Sequence, residues 1–76
     1  MKTVMISLNS IDKVKSFVND ISRFDYDFDL VSGRYVIDAK SIMGIFSLDL
    51  SKTIELKIHA AEDADDVISV LKPYIV

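Results

Sequence analysis

Few residues in this 76-residue chain can do chemistry, and their spacing narrows what that chemistry could be. The one histidine, His59, falls at an outward position of the alternating segment TIELKIHA, beside acidic residues and with no serine or cysteine at catalytic spacing. It reads as a surface residue. Asp25, Asp27 and Asp29 form an acidic stripe, but alternate strand residues stand about 6.5 to 7 Å apart, and hard cations need a converging cage of oxygens. The stripe therefore reads as a solvated sheet face. Glu62, Asp63, Asp65 and Asp66 lack the central glycine and closing glutamate of a calcium loop, and read as the acidic start of a helix. Two glycines cannot build a loop that cradles phosphate. No metal and no cofactor is expected, and no catalytic constellation emerges. What remains is Ser10 and Ser41, each at a helix start and each suited to capping it; a serine is a weak nucleophile without an adjacent base.

These residues ride on elements outlined by the apolar pattern. Val4, Ile6 and Leu8 alternate with Thr3, Met5 and Ser7, which predicts a strand over 2–8. After Asn9-Ser10, the residues Ile11, Val14, Phe17, Val18, Ile21 and Phe24 recur at helical spacing. DYDFDL alternates Tyr26, Phe28 and Leu30 against the aspartates, predicting a strand over 25–31, and Ser32-Gly33 turns tightly into a second strand over 34–38. A short helix follows from Ser41. A strand over 53–59 points Ile54, Leu56 and Ile58 inward. The last helix starts near Glu62 and carries Val67, Ile68, Leu71 and Tyr74, with Pro73 fraying its final turn. The order β-α-β-β-α-β-α predicts an α+β fold, an open-faced β-sandwich: a four-stranded antiparallel sheet with three helices on one face and water on the other.

Composition bounds the function classes. Half the residues are hydrophobic and 28% are charged, the balance of a globular chain. The length predicts a single domain over 1–76. The absence of cysteine fits a reducing compartment. The apolar runs fall far short of the roughly 20 residues a membrane span needs, and the N-terminal segment lacks a signal-peptide pattern. A cytoplasmic protein without membrane partners is expected. Net charge is −3, the pI is near 4.8 and the basic residues are scattered, so direct binding to nucleic acid is excluded.

The segment AKSIMGIFSLDL stands out. It holds Ile42, Met43, Ile45, Phe46, Leu48 and Leu50, more than one face of a short helix can bury. On a helical wheel Ile45 and Leu48 share one flank, and Ile42, Met43, Phe46 and Leu50 spread over another. With the first flank on the sheet, the second is either covered by the first helix, as ordinary core, or exposed as a docking surface. Met and Phe are types enriched at interface centres.

KSIMGIFSL resembles the regulatory-serine helix of HPr, the small histidine-containing phosphocarrier family of the bacterial sugar phosphotransferase system. The likeness runs upstream through SRFDYDFDLVSGRYVIDAKSIMG and downstream through AAEDADDVISVLKPYI, with a slight shortening around Asp49 to Lys52. The family's active-site loop reads roughly G-I-H-A-R-P; here the matching segment is L-N-S-I-D-K. Ser10 stands where the resemblance places the phosphorylated histidine, and Asp12 stands near the place of the arginine. The resemblance thus implies a degenerate active-site loop of Asn9, Ser10, Ile11 and Asp12. It also implies that Ser41 matches the serine phosphorylated by a dedicated kinase in low-GC Gram-positive bacteria. The family includes a paralogue that lacks the histidine and acts in carbon catabolite repression.

Together these point to a non-catalytic regulatory or protein-binding module, not an enzyme. It would dock partners through Ile42, Met43, Phe46 and Leu50, with Ser41 as a phosphorylation site. The partners implied by the resemblance are proteins of the phosphotransferase or catabolite-control system, a kinase or a transcriptional regulator. The alternative is a phosphocarrier that uses Ser10 or His59 as a non-standard acceptor.

Overall fold

The computed structural model describes residues 2–60 and 64–76. The first strand, β1, spans Lys2–Ile6, shorter than the alternation to Leu8 predicts. Its partner changes there. Ile6 forms a bridge with Ile75, and the Ser7 N–H donates to the Tyr74 carbonyl at 2.8 Å, so the chain end takes over from the sheet. Leu8 is nevertheless fully buried.

Helix α1, Ile11–Ile21, buries Val14, Phe17 and Ile21. It ends where the Ser22 N–H and hydroxyl both donate to the Val18 carbonyl, at 3.0 and 2.6 Å. Strands β2, Asp27–Ser32, and β3, Tyr35–Asp38, form the expected hairpin. Gly33 has φ 59 and no other residue type adopts a positive φ among the described residues, so glycine sits at the first central turn position, as a type II′ turn demands. Strand β4, Ile54–His59, lies in the middle of an all-antiparallel sheet ordered β1-β4-β2-β3.

The registers place Val4, Leu56, Leu30 and Ile37 in one inward row across the sheet. Phe28, Ile58, Ile6 and Ile54 point the same way and are buried. Helices α1, α2 (Ile42–Phe46) and α3 (Asp65–Leu71) cover this face. Removing this apolar area from water supplies the main folding drive, and no buried polar side chain is left unpaired among the described residues.

The last helix begins later than the acidic run suggests. Asp65 and Asp66 occupy its first turn, while Glu62 and Asp63 lie outside the described residues. Pro73 does not fray the helix, because the helix already ends at Leu71 and the chain turns back along β1. Tyr74 anchors that return. Its ring meets Phe17 edge to face at 5.6 Å and its hydroxyl donates to Asp20 at 2.9 Å. Burial, reinforced by the Asp20 carboxylate, pushes the Tyr74 phenol up to about 12. Among the described residues no helix is long and apolar enough to cross a membrane.

Candidate functional site

Two serines open two helices, and both are used structurally. Ser10 adopts extended backbone and its Oγ accepts from the Lys13 N–H at 3.1 Å, satisfying one of the free amides of the first turn of α1. Asp12 follows in that turn, exposed, where the helix dipole favours a carboxylate. Asn9 is exposed in the connection from β1. Ile11 departs from the expected pattern. Helical spacing puts it in line with Val14, yet it is 61% exposed, because the first turn of α1 carries it clear of the core stripe.

Ser41 likewise caps α2, its Oγ accepting from the Gly44 N–H at 3.2 Å. Gly44 permits this tight start. A Cβ there would lie 3.2 Å from Ser41 Oγ and 3.3 Å from Ile37 Cδ1, so the glycine in KSIMG lets α2 sit close to its own cap and to β3. Lys40, next to Ser41 in the chain, has partners of its own. Its ammonium donates to the Phe24 carbonyl at 2.8 Å and lies 5.6 Å from the Phe28 ring centroid, a charged clamp on the entry to β2.

The surplus apolar residues divide differently from the wheel. Ile45 is fully buried and Leu48 is nearly so. Met43 is 77% exposed and Phe46 40% exposed. Ile42 and Leu50, expected on the exposed flank, are half-buried and pack against the core. The wheel fails for Leu50 because α2 stops at Phe46. The Ser47 hydroxyl captures the Gly44 carbonyl at 2.6 Å, and Asp49 accepts from both the hydroxyl and the N–H of Ser51. Those bonds from Ser51 hold the Asp49 carboxyl below the usual carboxylate range.

His59 stands at the other end of β4 from the β1–α1 connection. β1 runs from Lys2, opposite Ile58, to Ile6, opposite Ile54, so the chain leaves toward Ser10 at the far end of the sheet. The two candidate acceptors are not brought together. The His59 Nε2 lies 2.7 Å from Asp29 Oδ2, with Asp27 directly across the strands and Asp38 opposite Asp29. These acidic groups repel an incoming phosphate. Among the described residues no three His, Asp or Glu converge on a metal position.

The site is thus an open-faced sandwich with two serine-capped helix starts and an exposed Met and Phe beside one of them. Comparison with known proteins gives this class of fold its name. The family model for the HPr component phosphorylation site of the phosphotransferase system matches residues 13–75, a segment that begins just after the Asn9–Asp12 loop. HPr-C-His from Thermoanaerobacter tengcongensis is 28% identical, with a TM-score of 0.77 over 96% of this chain and 89% of that one. The phosphocarrier protein HPr of Bacillus anthracis strain Ames is also 28% identical, with a TM-score of 0.71 over 99% of this chain and 94% of that one. A Mycoplasma histidine-containing phosphocarrier protein shares the fold at 18% identity, with a TM-score of 0.70 over 95% of this chain and 86% of that one. No curated protein sequence matches. The chain belongs to the HPr family.

Proposed function

We propose that this chain is a regulatory, protein-binding member of the HPr family that works in sugar phosphotransfer or carbon catabolite control without carrying phosphate on histidine. The observation that supports this best is the β1–α1 junction. Ser10 occupies the position the family likeness assigns to histidine, and its oxygen is engaged as a helix cap. Among the described residues no side chain is hydrogen-bonded to it to take up its proton, the segment Leu8 to Lys13 holds no histidine or arginine, and Asp12 brings negative charge where a phosphoryl group would need a cation. The chain would be a docking module, not an enzyme, acting in the cytoplasm.

In this reading Met43 and Phe46 are the contact residues, flanked by the half-buried Ile42 and Leu50. Partners would be a serine kinase or a transcriptional regulator of the same system. Ser41 is the modification site. A phosphate there replaces the cap to Gly44 and adds about −2 charge at the rim of the apolar patch. The Lys40 ammonium is already engaged by the Phe24 carbonyl and the Phe28 ring, so the phosphate acts chiefly on what the patch can bind.

The phosphocarrier reading keeps His59 as its candidate, since the imidazole is ordered by Asp29 in the manner of a catalytic pair. Incubation with phosphoenolpyruvate, the first enzyme of the system and a phosphate label separates the two. The regulatory reading expects no acid-labile phosphate. Stoichiometric acid-labile label that disappears in His59→Ala establishes the phosphocarrier instead. A kinase assay with ATP should place acid-stable phosphate on the wild type and none on Ser41→Ala.

A further inference from the structure

The two rims of the sheet are treated differently. The outer side of β1 is partly occupied by the chain end, through the Ile6–Ile75 bridge and the Val76 N–H to Met5 carbonyl bond of 3.1 Å. Among the described residues nothing lies along the outer side of β3. The Ala39 N–H donates to the Phe28 carbonyl, so by alternation Tyr35 and Ile37 also turn their backbone groups toward β2. The N–H and C=O of Val36 and the N–H of Asp38 therefore point away from the sheet. Exposed rims of this kind are templates for another strand.

The side chains on this rim are unfinished in the monomer. Tyr35 is 69% and Val36 63% exposed. Arg34 has no carboxylate partner among the described residues. Asp38 faces Asp29 across the hairpin, a like-charge pair, and His59 is already taken by Asp29; among the described residues the Asp38 carboxylate accepts only the Lys40 backbone N–H.

We propose that β3 pairs with β3 of a second copy, antiparallel and centred on Val36, to give a weak symmetric dimer with a continuous sheet. Val36 and Asp38 share the open face, and Arg34, the turn residue that leads into the strand, falls nearest the partner's Asp38 in this register, on both sides of the axis. Val36 meets its own counterpart with two reciprocal backbone bonds. Tyr35 lies across from the partner's Ile37 on the helical face. Sliding the copies toward the C-terminal end of the strand sets Asp38 against Val36 or against itself. The Val36-centred register is the one that joins opposite charges. Isologous pairing of this kind satisfies the geometry of a closed dimer.

The rim is short, and it falls below the roughly 1,000 Å² that stable interfaces bury, so association belongs at about millimolar concentration. The proposal does not depend on the regulatory reading above. Sedimentation equilibrium should show 8.6 kDa in dilute solution and a mass rising toward twice that at about 1 mM. Arg34→Asp and Asp38→Arg should each remain monomeric, since each sets like charges opposite one another. An equimolar mixture of the two variants should associate, because an acidic pair on one chain then meets a basic pair on the other. Val36→Pro, which removes an N–H the monomer leaves free, should abolish association and retain native circular dichroism. Lys15→Ser, on the exposed side of α1, should associate as the wild type does. A wild type that stays monomeric at about 1 mM overturns the proposal. So does a mixture that fails to associate, or either charge variant dimerising alone.

Discussion

Ile45 and Phe46 are neighbours in α2 with opposite surroundings, and replacing each by alanine tests how the helix divides between core and surface. Ile45 has no exposure, so Ile45→Ala leaves a cavity among packed side chains and should cost about 2–5 kcal/mol. Folding stability for a chain of this size is of order 4–11 kcal/mol, so this one change removes a large share of it. Phe46 is 40% exposed. The buried part of its ring scales the usual loss of about 3–5 kcal/mol down to roughly 2–3. Water can enter the vacated space, and alanine is the better helix former by about half a kcal/mol; together these bring the expected cost near 1 to 2 kcal/mol. Urea unfolding followed by far-ultraviolet circular dichroism resolves the difference. With a slope near 1 kcal/mol per molar, Phe46→Ala should lower the midpoint by about 1 to 2 M and Ile45→Ala by about 2 M or more, toward complete unfolding. Equal shifts for the two variants would mean that Phe46 is core, and the docking role given to it would fall.

Three further outcomes follow from single contacts. Ser41→Ala should lose about 1 kcal/mol by calorimetry, the usual cost of removing a cap, while leaving the fold intact. Lys40→Met keeps the apolar stem but deletes the bond to the Phe24 carbonyl and the contact with Phe28, and should lower stability by about 1–3 kcal/mol in urea titrations, independent of Ser41. The Tyr74 phenol is raised to about 12 in the folded chain, so its stabilising contribution is complete below the ordinary phenol range near 10 and is lost as pH rises through about 12. Denaturant midpoints measured across that window should fall in the wild type and fall less steeply in Tyr74→Phe.

Alternation carried the fold further than it carried the site. Four strands and three helices in the right order can be read from the apolar spacing, which has period two at Phe28, Leu30, Leu56 and Ile58 and helical period at Val14, Phe17 and Ile21; a one-residue slip would turn each strand inside out. Boundaries were less legible where side chains of ordinary appearance do the stopping. Nothing in FSLDL announces that the Ser47 hydroxyl takes the Gly44 carbonyl and ends α2, so a wheel drawn to Leu50 overestimates the exposed flank. Ile11 shows the converse error, since helical spacing cannot tell a first turn that overhangs from one that packs. The long-range anchor of Lys40 on Phe24 was equally invisible, because a lysine beside a serine suggests a local pair and only the fold brings residue 24 within reach.

The strand order has a consequence for how the chain is made. β4 sits between β1 and β2, yet it is the last strand to be synthesised. Until His59 has left the ribosome, β1 has no partner along its inner side, and the one sheet contact available is the local hairpin of β2 and β3. The N-terminal half must therefore wait with Val4, Ile6 and Leu8 uncovered, and the sheet closes in one late, non-local step. Such a step pays loop-closure entropy before any reward, which slows folding relative to helical domains of similar size. Even a stop a few residues short of His59 should yield a chain recognised by chaperones and proteases, not a slightly smaller version of the same domain.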